Sequence, residues 1–107
     1  WGFPVYDIPT GPAVRFLTLE NGLKVAILRN ETPKNTIAVR FGFDVGYVDE
    51  AAEAAGLSHF LEHMAFNGSR NVPEGEMIKL LEREGLAFGA DTNASTSFED
   101  TIYKLDL

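Results

Sequence analysis

At 107 residues the chain has the length of one domain, spanning 1–107. A domain of that size buries about 60% or more of its unfolded surface, so it folds without covalent staples. With no cysteine it has neither a disulfide framework nor thiolate metal ligands, and its net charge of −7 argues against nucleic acid or an anionic membrane as partner.

The remaining composition, 45% hydrophobic and 23% charged, is that of an ordinary globular protein and argues against disorder. No apolar run approaches the ~18 residues of a membrane span, so no membrane span is expected. The chain opens at Trp1 and not at methionine, which reads as a start made by processing or truncation. The lack of cysteine is compatible with a periplasmic or secreted protein, and that placement is favoured.

Residues 1–13 carry Pro4, Pro9 and Pro12 and read as an extended lead-in. Next, Arg15–Leu19 and Leu23–Leu28 flank Asn21-Gly22. That arrangement predicts a hairpin with a type I′ turn, since both residues accept positive φ. Ile37, Val39, Phe41, Phe43 and Val45 alternate with Ala38, Arg40, Gly42 and Asp44, predicting a long strand with one face on the core.

From about Asp49 to Asn67 the apolar residues Ala54, Leu57, Phe60, Leu61 and Met64 recur at helical spacing, and Asn67-Gly68 supplies a left-handed stop. Pro73 in a first turn, the acids Glu74 and Glu76, then Met77, Leu80 and Leu81 predict a second helix, closed by Gly85. Thr101–Leu107 reads as a further strand that runs off the end, so the sequence is expected to be incomplete and to expose an edge there that invites self-association between copies. The order strand, strand, strand, helix, helix, strand predicts an α+β fold, a mainly antiparallel sheet with helices packed on one face.

On the first helix, at 100° per residue, Leu57, Phe60, Leu61 and Met64 form one stripe, expected to be buried. His59 and His63, the only two histidines, stand one turn apart on another face. Two imidazoles so placed can reach one zinc ion at ~2.0–2.1 Å. Glu62 lies roughly 60–100° around the helix from them. That offset suits a general base near the metal better than a third ligand. The bland alternative is a solvated surface helix, where Glu beside His is an ordinary side-chain pair. Chance placement rarely puts the only two histidines at this spacing with a glutamate between them, but no third ligand is evident, so on geometry alone both readings stay open.

The run Gly56-Leu57-Ser58-His59-Phe60-Leu61-Glu62-His63-Met64-Ala65-Phe66-Asn67-Gly68-Ser69 resembles the active-site helix of the insulinase or pitrilysin family of zinc peptidases, peptidase family M16. Their H-x-x-E-H inverts the commoner zinc-peptidase order. Leu19–Val25 resembles the family's opening hairpin, Phe88–Ser97 its strand beside the active site, and Thr101–Tyr103 the strand that follows. The resemblance implies the N-terminal part of a zinc metalloendopeptidase domain acting on peptides or unfolded protein segments. His59 and His63 would be the zinc ligands and Glu62 the base, with a third ligand, a glutamate, lying beyond residue 107. Asn93 and Ala94 would belong to an edge strand that pairs with substrate backbone, although their small polar neighbours read alone as a loop. A second half or subunit of the same type would close the cleft. The competing reading is a non-catalytic partner subunit of such an assembly, which would be expected to lose motif residues; all three are present here. An isolated piece of this length is expected to be inactive.

Overall fold

In a computed structural model that describes residues 11–85 and 94–107, the two apolar runs around Asn21-Gly22 pair as their pattern predicts. Strands β1 (Val14–Thr18) and β2 (Lys24–Leu28) form an antiparallel ladder with Thr18 opposite Lys24. The turn differs from the type I′ expectation. Gly22 has φ +86°, but Asn21 does not take a positive φ. The N–H of Gly22 donates to the Leu19 carbonyl at 2.9 Å, and the N–H of Leu19 to the Leu23 carbonyl at 2.9 Å. This is a three-residue loop in which a tight turn is closed by a left-handed glycine. Asn21 acts through its side chain, whose Oδ1 accepts the N–H of Leu23 at 3.1 Å. The lead-in to Thr10 lies outside the described residues. The hairpin belongs to a unit spanning Trp1–Asn35, and the rest of the chain, Thr36–Leu107, forms a second unit.

The second unit is built on a three-stranded antiparallel sheet of order β3-β5-β4, from β3 (Ala38–Phe43), β4 (Ala94–Thr96) and β5 (Thr101–Asp106). The sequence pattern anticipated β3 and β5, whereas β4 came from a stretch whose composition reads as loop. Strand β5 is the middle strand: β3 pairs along it on one side and β4 covers Thr101–Tyr103 on the other, so the open edge expected from Thr101 onward is closed over Thr101–Tyr103. Register places Phe41 opposite Tyr103, Phe43 opposite Thr101, and Ala94 opposite Tyr103. Because directly opposed residues share a face, Val39, Phe41, Phe43, Tyr103, Ala94 and Thr96 line one side of the sheet. Arg40 and Asp106 line the other, joined by a two-pronged ion pair of 2.5 and 2.9 Å.

Between β3 and the first helix the chain makes two 3₁₀ turns, Tyr47–Asp49 and Ala52–Ala54, where the sequence predicted continuous helix from about Asp49. Helix α1 runs Leu57–Ala65 and starts after Gly56, whose φ of +90° breaks the preceding turn from it. No local side chain caps it. Glu50 does so from six residues upstream: its two carboxylate oxygens accept the N–H groups of Gly56 at 2.6 Å and Ser58 at 2.7 Å. Helix α2 (Glu76–Arg83) follows a tight Ser69–Val72 turn and ends at Gly85, φ +92°, as expected. Pro73 lies before α2 and not in its first turn.

Helix α1 packs on β4 and β5, and its orientation reverses the predicted one. Ser58 and Glu62 are buried, at 8% and 9% exposure, whereas Phe60 and Leu61 in the apolar stripe are 60% and 56% exposed. Val39, Phe41 and Phe43 are likewise exposed, so the apolar face of β3 is formed but uncovered. Among the described residues Ala94 alone is a buried hydrophobe. The physical reason is one of count: α1 covers the β4–β5 end of the sheet face, and no described element covers the rest.

Candidate metal centre and catalytic carboxylate

His59 and His63 occupy successive turns of α1, both exposed, with ring centroids 4.8 Å apart. Their Nε2 atoms stand 3.1 Å apart. Two nitrogens each about 2.0–2.1 Å from one tetrahedral ion would lie roughly 3.3 Å apart, so the observed spacing fits a shared zinc. With the protons on Nδ1, both Nε2 lone pairs are available to a cation. His63 also lies in the last turn of α1, where the helix dipole favours positive charge. Among the described residues no group of three His, Cys, Asp or Glu side chains gathers as a metal cluster.

Glu62 sits on the sheet-facing side of the same helix. Its Oε2 accepts a 2.6 Å hydrogen bond from the Thr96 hydroxyl on β4. A donor at that distance from a carboxylate makes a strong, charge-assisted bond. Tyr103 lies close by on β5. Its phenol is pushed up from its ordinary value, first by burial and then by the negative charge of Glu62. Its ring meets Phe43 edge-on at 6.0 Å and Phe66 in a tilted contact at 5.8 Å.

The fold brings Ala94 into this neighbourhood, 5% exposed beneath α1. Asn93, its expected companion, lies outside the described residues. Strand β4 holds its place through the hairpin to β5, where Ser97 N–H donates to the Asp100 carbonyl at 2.8 Å and Ser97 Oγ to the Asp100 carboxylate at 2.8 Å. Gly46 presses against the same turn. A Cβ there would stand 2.4 Å from the Ser97 carbonyl oxygen, so close approach of two backbones requires glycine. Thr101 adds a hydroxyl bond of 2.9 Å to the Val45 carbonyl.

Sequence reasoning singled out His59, Glu62 and His63 because the two histidines stand four residues apart on one helix with the glutamate between them. It missed Thr96, Tyr103 and Glu50. Thr96 and Tyr103 meet Glu62 only through the sheet, and no local pattern marks them. Glu50 had a faint signal, an acid shortly before a helix that lacks its own cap.

The sequence model of "Insulinase (Peptidase family M16)" matches residues 25–107. The "Probable zinc protease PqqL" of Haemophilus influenzae is 39% identical over 97% of this chain, which spans 11% of that protein. The "Probable mitochondrial-processing peptidase subunit beta" of Schizosaccharomyces pombe is 41% identical over 86% of this chain, and 19% of that protein is covered. Among solved structures, the first half of the periplasmic protease PqqL from Escherichia coli superposes with a TM-score of 0.86 at 34% identity, covering 94% of this chain and 21% of that one. The chain thus spans about a tenth to a fifth of the relatives it matches. It belongs to peptidase family M16, the insulinase family.

Proposed function

We propose that this chain carries two zinc ligands and the general base of an M16 metalloendopeptidase acting on peptides or unfolded protein segments. The observation that carries the reading is the pair of Nε2 atoms 3.1 Å apart beside a buried, hydrogen-bonded carboxylate on the same helix. His59 and His63 would hold the ion, with a third protein ligand supplied from beyond residue 107. Zinc, when bound, polarises a carbonyl as a Lewis acid and acidifies water. Glu62 accepts a proton from the attacking water and returns it to the leaving amide nitrogen, so that one water is consumed per bond cleaved. Asn93 and Ala94 bind substrate, Ala94 from β4, by pairing with the backbone of an extended peptide.

The uncovered faces of β3 and α1 support a further part of this reading: other segments of the full-length protein cover them, and a second M16-type half or subunit closes the cleft. A periplasmic or secreted location is proposed by analogy with the periplasmic protease PqqL of Escherichia coli.

In the full-length enzyme Glu62→Gln should lower turnover by about a hundredfold or more while zinc content stays near normal. Undiminished peptide cleavage by that variant would remove the general-base role. His63→Ala should strip the metal, and full zinc occupancy by elemental analysis would refute its role as ligand. This chain by itself should bind zinc more weakly than one that continues through the third ligand, because two imidazoles leave a tetrahedral ion underligated. Tight stoichiometric zinc would place a third ligand within these 107 residues.

A further inference from the structure

We infer that Thr96 is the positioning residue for Glu62, and that it links the substrate-facing edge of β4 to the orientation of the base. The inference rests on the peptidase reading above. Glu62 has three rotatable side-chain bonds, and burial alone does not select one orientation of its carboxylate. The 2.6 Å bond from Thr96 Oγ1 to Oε2 does, fixing the plane of the group and with it the direction of Oε1. Thr96 suits that task because a β-branched residue in a strand holds its χ1 rigidly.

The backbone of the same residue points elsewhere. Ser97 donates its N–H to the Asp100 carbonyl, so Ser97 and Asp100 are a hydrogen-bonded pair at the end of the β4–β5 ladder. Antiparallel alternation makes Thr96 and Thr101 a non-bonded pair, and Ala94 and Tyr103 another. The N–H and C=O groups of Thr96 and Ala94 are therefore directed away from β5, toward the outer edge of β4. An extended peptide pairing on that edge bonds the backbone of the residue whose hydroxyl holds the base. Substrate binding and base orientation thus meet in one residue.

The test uses the full-length zinc-loaded enzyme. Thr96→Val keeps the branched shape and deletes the hydroxyl, Thr96→Ala deletes it without bulk should the valine variant fold poorly, and Thr96→Ser restores it. The valine or alanine variant should lose about tenfold or more in kcat, with KM within about twofold and zinc content unchanged, whereas serine should recover most of the loss. A double-mutant cycle gives a readout independent of turnover: removing the hydroxyl should lower the melting midpoint in the presence of Glu62 and much less in a Glu62→Ala background. Unchanged kcat without the hydroxyl, a loss carried by KM, a serine variant as slow as valine, or no thermal coupling would each overturn the assignment. Glu62→Gln is run alongside. If it stays active, the general-base reading itself has failed; if it is dead while Thr96→Val is fully active, only the positioning role has.

Discussion

The β1–β2 hairpin and the contact of α1 with β4 are held together by opposite kinds of information. In the hairpin every partner is a near neighbour in sequence, and one glycine with φ +86° sets the turn. The Glu62–Thr96 bond joins residues 34 apart, and the strand that supplies Thr96 is three residues long. The hairpin is a local product of its turn chemistry, whereas the site exists only once β5 has paired on both sides. The difference teaches where substitutions should act: changes near Gly22 should be felt locally, and changes at the β4–β5 turn should dismantle the site as a unit.

The largest expected effect follows from Gly46. Adding a Cβ drives it into the backbone of Ser97 and Phe98, at 2.4 and 2.5 Å, and backbone does not yield as a flexible side chain does. Gly46→Ala should cost about 3 kcal/mol, the upper range of overpacking penalties. Hydrogen exchange should show β4, β5 and α1 amides losing protection together while the β1–β2 amides keep theirs. Equal loss in the hairpin would break the distinction between the two regions.

Glu50 gives a smaller effect with a pH signature. The N–H of Ser58, and after it that of Gly56, hold its carboxyl below the usual carboxylate range. Folding favours the charged form, so its contribution is complete above the unfolded value of about 4.3 and is lost as pH falls through the lower folded value. Glu50→Gln keeps an acceptor but removes the charge. It should weaken α1 at neutral pH and flatten the fall in α1 protection on the acid side of the ordinary carboxylate range. An unaltered acid-side slope would mean that this carboxylate does not secure the helix.

The same division explains what the sequence made legible. His59, Glu62 and His63 were found because i, i+3 and i+4 relations on a helix follow from geometry alone, and the hairpin because Asn-Gly lay between two apolar runs. The apolar stripe of α1 misled for a physical reason. A stripe of Leu57, Phe60, Leu61 and Met64 says that a face wants burial but does not name what buries it. Here the sheet takes the Ser58 and Glu62 face instead, held by Thr96, and leaves the stripe exposed. Strand β4 was legible only through the family resemblance: read alone, Ala94 and Ser95 have little strand preference, and the short run pairs against β5. Thr101–Leu107 read correctly as a strand, but its first half, Thr101–Tyr103, has a neighbour on both sides, which a strand's own residues do not reveal.

The smallest effect sharpens the hairpin side of the comparison. In a type I′ turn both central residues need positive φ, so Asn21→Ala and Gly22→Ala would be comparably costly. In the observed loop only Gly22 is left-handed, with open space where its Cβ would be, so the cost of Gly22→Ala is purely conformational, about 1 kcal/mol. Asn21→Ala loses just the exposed bond from its Oδ1 to the Leu23 N–H and should cost about half of that or less. Read as hydrogen exchange of the β1 and β2 amides, Gly22→Ala should accelerate opening by about fivefold and Asn21→Ala by about twofold or less. Equal acceleration would restore the type I′ turn, and with it the expectation that the dipeptide alone, and not the glycine within a three-residue loop, sets the register of Thr18 against Lys24.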